Sequence, residues 1–389
     1  MKLKSIALLL LTVAMPAMAE QVSVNTKGMS LILDVENGKP AQYLYFGTKL
    51  NNSDLQNLKV ATDGTRPSHT DHAEVMFSLN GKVQENVGDL IGAALVYGGN
   101  YKLKTVTDDT EYHYFFAGIN SDNSEYHLKK GETFKTPALA LTYSTEGLSG
   151  ASRNFHKWGR KYILAHGDQL RDILLNSWEG VYFDINQEGM DQMMKDIHSM
   201  GGELFVMDDG WFGNKYPRKS DNSSLGDWVV DTKKLPEGIE GLLRDAVLGC
   251  GGTQLVFDLS NPKVQGFVYG VVDNLLTTYP EIAYIKWDAN MPIMNHGSQY
   301  LPAADQSHLY IAYHQGFAKV MERIRAKYKD VVIQCCASGG GRANWGFLRG
   351  FDEFWCSDNT DALQRVYMQY GTSYFLPDHR YGLPYLRSS

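Results

Sequence analysis

Carboxylate side chains follow three apolar runs that are each short enough to be a β-strand. Asp208 and Asp209 follow the first run, Asp288 ends the second and Asp358 follows the third. Hydrolysis of a glycosidic bond with retained configuration needs two carboxyl groups that face one sugar, about 5 to 5.5 Å apart. Any one of these acids is also a common residue in turns and helix caps. Their recurrence after three runs predicts a site of acid-base or nucleophilic chemistry.

The runs that carry these acids belong to an alternation of strands and helices that begins after a basic helical connector, Phe155–Tyr162. Such an alternation is typical of α/β folds with parallel strands. The predicted strands are Ile173–Trp178, Leu204–Asp208, Gln254–Asp258, Tyr284–Asp288, Val331–Cys336, Glu353–Ser357 and Thr372–Leu376. In (β/α)8 barrels the active site lies at the carboxyl ends of the strands. The acids stand at those ends.

One strand of a closed barrel is not found in the sequence. Between Leu235 and Gln254 the pattern supplies only one helix, Ile239–Val247, and then a glycine-rich turn around Cys250. A closed barrel of this class has eight strands, and the sequence offers seven. A strand with its loop is therefore predicted to be absent here.

Two helices between the strands have clear signals. Ser260 and Asn261 precede Pro262, which is the order of a polar cap and a proline at a helix start. A second helix carries an apolar stripe at helical spacing. Its members are Leu309, Tyr313, Phe317, Val320 and Ile324. Both apolar faces are expected to belong to the core.

The N-terminal region has the alternation of short strands and turns. Asn37-Gly38 is a hairpin signal, with Gln42–Phe46 as the returning strand. Further strands are predicted at Tyr112–Gly118 and Ala138–Tyr143. These features predict an antiparallel β-sandwich over residues 20–150, abbreviated in length, followed by the incomplete barrel over residues 151–389.

Residues 1–19 have the pattern of a secretory signal peptide. Lys2 and Lys4 precede the apolar stretch Ile6–Val13, and Ala17–Ala19 supplies small residues at a cleavage site. The alternative, a membrane anchor, is disfavoured because the apolar run falls short of the roughly 20 residues that a bilayer span needs. We expect a protein that is exported, periplasmic or extracellular, without a membrane span.

Composition restricts the partners. The net charge is −7, from 37 basic and 44 acidic residues, and no basic block would follow a phosphate backbone, so nucleic acid is not expected. Gly339–Gly341 lacks the following Lys and Ser/Thr of a phosphate loop. Histidines lack metal-ligand spacing, with His308 and His314 six apart and His198 alone on its helix, so neither a metal nor another cofactor is expected.

Seven segments, in order along the chain, resemble the signatures of glycoside hydrolase family 36. They are Asn176–Glu179, Asp208–Gly213, Leu225–Trp228, Asp258–Pro262, Tyr284–Asp288, Cys336–Arg342 and Ser357–Ala362. The resemblance spans roughly residues 174–371. It implies an α-galactosidase on an α/β fold, a TIM-type (β/α)8 barrel, that forms homo-oligomers and takes α-galactoside oligosaccharides or glycans as substrates.

The resemblance also implies a role for each matching residue. Asp288 would be the nucleophile, and Asp358 would be the acid that protonates the leaving oxygen and later the base that activates water. Substrate-binding roles fall on Trp178, Asp208, Asp209, Lys286, Asn290, Cys336, Gly339 and Trp355. The two aspartates would accept hydrogen bonds from galactose hydroxyls, and the lysine would donate one.

This sequence departs from the family's pattern at three places. The family's strand and loop after the Leu-Pro-Glu-Gly region are missing, and Cys250 is the nearest counterpart of an arginine that contacts substrate. The N-terminal sandwich is abbreviated around Asp71–Glu74, and the family's C-terminal β domain is expected to be absent beyond Ser389. Three hypotheses remain open: an α-galactosidase, an α-N-acetylgalactosaminidase or galactosyl transferase, and an inactive carbohydrate-binding remnant.

Overall fold

The computed structural model describes residues 59–236, 247–248 and 256–377, apart from residues 63, 70, 80, 111, 123, 292 and 294–296. It also describes three N-terminal strands. These are β1 (Glu20–Asn25), β2 (Met29–Val35) and β3 (Gln42–Thr48). The predicted signal peptide lies outside the described residues. No helix in the described part of the chain is long and apolar enough to cross a bilayer.

The contacts between residues divide the chain into two compact units. One comprises Met1–Lys59 and Thr105–Tyr114, and the other comprises Val60–Lys104 and Phe115–Ser389. The first unit contains an antiparallel sheet in the order β1-β2-β3. Its β2-β3 pairing confirms the predicted hairpin, whose Asn37-Gly38 turn lies outside the described residues. The predicted boundary near residue 150 stays a prediction.

Six further strands of the N-terminal half form two sheets. They are β4 (Lys59–Ala61), β5 (Glu74–Ser78), β6 (Leu90–Val96), β7 (Tyr101–Thr107), β8 (His113–Ile119) and β9 (Ala138–Ser144). The sheet orders are β4-β7-β8 and β5-β6-β9, and the latter is antiparallel. The predicted strands Tyr112–Gly118 and Ala138–Tyr143 are confirmed as β8 and β9, with small changes in their ends.

Two parallel sheets follow, and in each the strands lie in chain order. The first contains β10 (Leu174–Asn176), β11 (Leu204–Met207) and β12 (Val247–Leu248). The second contains β13 (Tyr284–Asp288), β14 (Val332–Cys336) and β15 (Glu353–Phe354). The pairings β10-β11, β11-β12, β13-β14 and β14-β15 are all parallel. Parallel pairing places the carboxyl ends of the strands of one sheet at the same edge.

Six helices are described before, between and after the parallel strands. They are α1 (Gly147–Tyr162), α2 (Trp178–Val181), α3 (Gln187–Ser199), α4 (Pro262–Thr278), α5 (Leu309–Lys327) and α6 (Ala362–Ser373). Short 3-10 helices, Pro67–His69 and Ala303–His308, complete the described elements. The cap predicted for α4 is confirmed, because the Asn261 side chain accepts a hydrogen bond from the Lys263 backbone N–H at 2.9 Å. The predicted stripe of α5 is buried from Leu309 to Ile324.

The structure corrects three predictions about elements. Residues 372–376, predicted as a strand, end α6 and continue as a turn, because their backbone N–H groups bond within the segment: the Leu376 N–H donates to the Thr372 oxygen at 3.0 Å. A short apolar run does not by itself distinguish strand from helix. Residues 256–258 are irregular, and Asp258 instead accepts a hydrogen bond from the Ser298 hydroxyl at 2.5 Å. Val247, predicted to end a helix, begins β12; residues 239–246 lie outside the described part.

Candidate active site

Asp208 joins the carboxyl ends of the two parallel sheets. It follows β11, accepts a hydrogen bond from Asn176 Nδ2 at 2.6 Å, and forms an ion pair with Lys286 of β13. Only 3% of Asp208 is exposed. Burial by itself raises the pKa of this carboxyl, but the Lys286 ammonium and the hydrogen bonds outweigh burial, so the net pKa is lowered. Asp208 is therefore held ionised between β11 and β13.

Asp209 is held by a different cation. Its two carboxylate oxygens accept hydrogen bonds from Arg218 Nε at 2.8 Å and Nη2 at 2.5 Å, an arrangement of the bidentate kind. The guanidinium is buried and also donates to the backbone oxygens of Ser220, Asp221 and Ser223. The arginine thus fixes the Asp209 carboxylate in one orientation.

Asp288 is the last residue of β13, opposite Cys336 of β14. Asn290 Nδ2 donates to Asp288 Oδ2 at 2.9 Å, while Oδ1 has no hydrogen-bond partner among the described residues. Burial raises the pKa of the Asp288 carboxyl, and the charges of Asp208 and Asp358 raise it too, against the lowering effect of Lys286. One carboxylate oxygen is therefore oriented by an amide, while the other is buried without a donor among the described residues.

Asp358 lies beyond the end of β15, and its charge acts on Asp288. The pKa of Asp358 is raised, chiefly because neighbouring protein keeps water from the carboxyl, although the residue as a whole is exposed. A hydrogen bond from the Trp355 side chain and the charge of Lys286 oppose that rise. A carboxyl whose pKa is raised holds its proton longer, as a general acid requires.

Arg365 of α6 fixes the segment that carries Asp358. Its guanidinium lies over the Trp355 ring, 4.3 Å from the ring centroid, and donates to the Ser357 backbone oxygen at 2.7 Å. A third contact joins Nη1 to the Cys356 sulfur at 3.0 Å. The indole therefore has one face covered by an arginine.

The other predicted site residues lie at the same strand ends. Trp178 begins α2 directly after β10, is partly buried, and packs edge-on against Tyr182 and Phe183. Cys336 is buried, and burial raises the pKa of its thiol well above the ordinary value. Gly339 has φ +75°, and a Cβ there would lie 2.6 Å from the Ser357 Cα, so only glycine fits this close approach.

Arg66 was missed by the sequence reasoning, because it comes from the N-terminal half of the chain. Its Nη1 donates to Ser338 Oγ at 2.7 Å, across 272 residues of sequence. Ser338 Oγ in turn donates to Asn290 Oδ1 at 3.2 Å, and Asn290 orients Asp288. Ser338 has φ +49°, a conformation that residues other than glycine rarely adopt. The sequence carries no signal of either feature.

The sequence profile of the melibiase family matches the chain in two stretches, residues 133–251 and 245–383. The chain belongs to the melibiase family. Among curated proteins this family member is similar to α-galactosidase C of Emericella nidulans, with 34% identity over 346 residues that cover 77% of this chain and 45% of that protein. It is similar to the α-galactosidase AgaA of Geobacillus stearothermophilus, with 34% identity over 75% of this chain and 45% of AgaA.

Solved structures show the same relationship. The crystal structure of AgaA, a glycoside hydrolase family 36 α-galactosidase, superimposes with a TM-score of 0.79 at 30% identity and covers 86% of this chain and 50% of AgaA. An AgaA variant in complex with raffinose gives a TM-score of 0.78 at 29% identity, with the same shares covered. The chain spans about half the length of the relatives that it matches. The prediction of a family 36 member is confirmed.

Proposed function

We propose that the chain hydrolyses terminal, non-reducing α-linked galactose from galacto-oligosaccharides or glycans with retention of configuration. The observation that carries the proposal is the pairing of Asp288, which has one oriented and one unpartnered oxygen among the described residues, with Asp358, whose charge acts on it. Structures of AgaA variants with stachyose and raffinose support galacto-oligosaccharides as the substrate class.

The reaction has two steps. Asp288 Oδ1 attacks the anomeric carbon while Asp358 gives its proton to the departing glycosidic oxygen, which leaves a galactosyl group on Asp288 and an ionised Asp358. Asp358 then takes a proton from a water molecule that displaces Asp288 from the anomeric carbon. Two inversions give net retention, and both carboxyls return to their starting protonation states.

The ion-paired acids would hold the sugar. Asp208 and Asp209, which are ion-paired with Lys286 and Arg218, would accept charge-assisted hydrogen bonds from galactose hydroxyls. Lys286 supplies a cation between Asp208 and Asp288 and an ammonium donor to a hydroxyl. Trp178 and Trp355 would contact the apolar face of the sugar, while Cys336 and Gly339 leave room for it.

We also propose that the six parallel strands belong to a TIM-type (β/α)8 barrel that lacks one strand-loop unit, preceded by an abbreviated β-sandwich. The chain order of the strands within each sheet and the Lys286–Asp208 ion pair between the sheets support the barrel. The two stretches of the family match meet at residues 245–251, where the missing unit is expected. We also propose that the chain is exported after cleavage near Glu20, which the N-terminal residue of the exported protein tests. We propose further that it self-associates, which its mass by light scattering tests.

The experiment is turnover of p-nitrophenyl α-galactoside by the purified chain, with circular dichroism to show that the sample is folded and NMR to identify the first galactose anomer released. We expect the α-anomer, and loss of turnover in Asp288→Ala and Asp358→Ala. Asp361→Asn is the matched control, since Asn caps a helix as well as Asp does and activity should persist.

The alternative functions predict other results. An α-N-acetylgalactosaminidase would prefer the 2-acetamido substrate, and a galactosyl transferase would give more transfer product than free galactose. Measurable galactose affinity in a folded chain without turnover would favour a carbohydrate-binding remnant and contradict the proposed hydrolysis.

A further inference from the structure

Two histidines and an aspartate from distant parts of the sequence meet at the start of α5. His127 lies in the irregular segment between β8 and β9, while Asp305 and His308 lie on the 3-10 helix Ala303–His308. Each offers one ligand atom, and these atoms all lie within 4.8 Å of one another. Among the described residues, no other group of three His, Cys, Asp or Glu side chains brings its ligand atoms this close together.

The geometry is close to that of a metal site. In tetrahedral zinc coordination, with bonds of about 2.0 to 2.1 Å, ligand atoms lie about 3.3 Å apart. His127 Nδ1 and Asp305 Oδ1 are 3.8 Å apart. His127 is 53% exposed and Asp305 23% exposed at the side chain, so small rotations can close the remaining gap.

The opposite side of the His127 ring has the partner that metal-bound histidines use. Glu125 Oε2 lies 3.4 Å from His127 Nε2. A histidine that ligates through one nitrogen characteristically donates its other N–H to a carboxylate, which fixes the tautomer and the ring orientation. With Nδ1 facing Asp305, Nε2 faces such a carboxylate.

His308 faces the segment that carries His127. Its Nε2 accepts a hydrogen bond from the His127 backbone N–H at 2.8 Å, so zinc would replace that N–H as the partner of this nitrogen. Tyr126 stacks on the ring, with 4.9 Å between centroids and 15° between planes. Stacking holds the imidazole against the segment that carries His127.

We propose that His127, Asp305 and His308 bind a zinc ion, with Glu125 holding His127 in the ligating orientation. Two imidazoles and one carboxylate suit zinc and neighbouring transition metals better than calcium or magnesium, which prefer oxygen ligands. The ion fastens residues 124–134 to the helix start that follows the β13 connection, and water completes its coordination. It takes no part in galactoside hydrolysis, so the site stands or falls separately from the proposed function.

The test is titration of the untagged, full chain with zinc chloride by calorimetry, after dialysis against a chelator. We expect one zinc ion per chain and a higher melting temperature with zinc. Glu125→Gln should weaken binding about tenfold, and His127→Ala and His308→Ala by more. His198→Ala, an exposed histidine on α3, is the matched control and should bind as the unaltered chain does.

Cobalt(II) absorption gives a second readout. Nitrogen and oxygen ligation predicts visible bands without the near-ultraviolet charge-transfer band of a thiolate. The proposal is wrong if no zinc binds, if binding survives unchanged in both His127→Ala and His308→Ala, or if the cobalt spectrum shows cysteine ligation.

Discussion

The acids at the two ends of the β13-β14-β15 sheet differ in their hydrogen-bond partners. At the amino end, Asp352 is fully buried and accepts hydrogen bonds from His166, Arg325 and the Ile333 backbone N–H, the last at 2.6 Å. At the carboxyl end, Asp288 has one oxygen without a partner among the described residues, and the neighbouring acid Asp358 raises its pKa.

Under the proposed function, this difference separates a structural carboxylate from a reactive one. Cations and donors satisfy Asp352, so its charge is neutralised and its lone pairs are used. The acids at the other end keep lone pairs and protons that are available to a substrate. Asp352 and the Oδ1 atom of Asp288 are both shielded from water, so the set of partners, and not shielding, distinguishes the carboxyl end of the sheet, where barrels of this class carry their chemistry.

The largest expected effect on stability is at the amino end. Asp352→Ala leaves the partly buried Arg325 and His166 without their buried anion, and removing one partner of a buried ion pair typically costs about 3 to 5 kcal/mol. Urea unfolding followed by circular dichroism measures the loss. Asp358→Ala is the comparison variant and should change the free energy of unfolding little. Equal losses in the two variants would remove the distinction between the ends.

Glu74 of β5 sharpens the comparison, because it is buried outside the active site. Its Oε1 has no partner among the described residues, and burial raises its pKa to about 8. The unfolded chain releases this proton near pH 4.5 but the folded chain near pH 8, so stability falls as pH rises between these values. Glu74→Gln removes that loss and should be more stable than the unaltered chain at pH 8, by on the order of 3 kcal/mol.

The control for this pH dependence is Glu322→Gln, a substitution at an exposed position on α5. Urea unfolding at pH 4.5 and pH 8 should give the Glu74→Gln variant its advantage only at the higher pH. An advantage of equal size at both values would mean that packing, and not the charge of Glu74, is responsible.

A smaller effect is expected at Arg66, which is linked by hydrogen bonds through Ser338 and Asn290 to Asp288, the proposed nucleophile. Arg66→Ala should lower kcat by roughly tenfold, about 1.4 kcal/mol, with little change in KM. Its cation favours the ionised forms of Asp288 and Asp358, so its loss should also move the acidic limb of the kcat/KM profile to higher pH. Arg66→Lys should restore part of the lost kcat and part of the shift in the acidic limb of the kcat/KM profile. An unmoved pH profile would reduce Arg66 to a structural residue.

The sequence predicted what depends on local pattern. Asp208, Asp288 and Asp358 stand at strand ends because apolar runs stop before them, and the α4 cap and α5 stripe follow from spacing. The sequence mispredicted residues 372–376, which end α6 and continue as a turn instead of forming a strand. Arg66, Arg218 and the meeting of His127 with His308 depend on tertiary contacts, and the last two residues are 181 positions apart. Periodicity carries no information about such pairs.

Azide rescue of the alanine variants tests the central claim most directly, because a small anion can enter the space of a removed carboxylate. With p-nitrophenyl α-galactoside, Asp288→Ala should give β-galactosyl azide by a single inversion, since the nucleophile is gone. Asp358→Ala should give α-galactosyl azide, because the galactosyl-Asp288 intermediate still forms and azide replaces water. The opposite assignment of anomers, or folded variants that give neither azide, would contradict the roles given to the two acids.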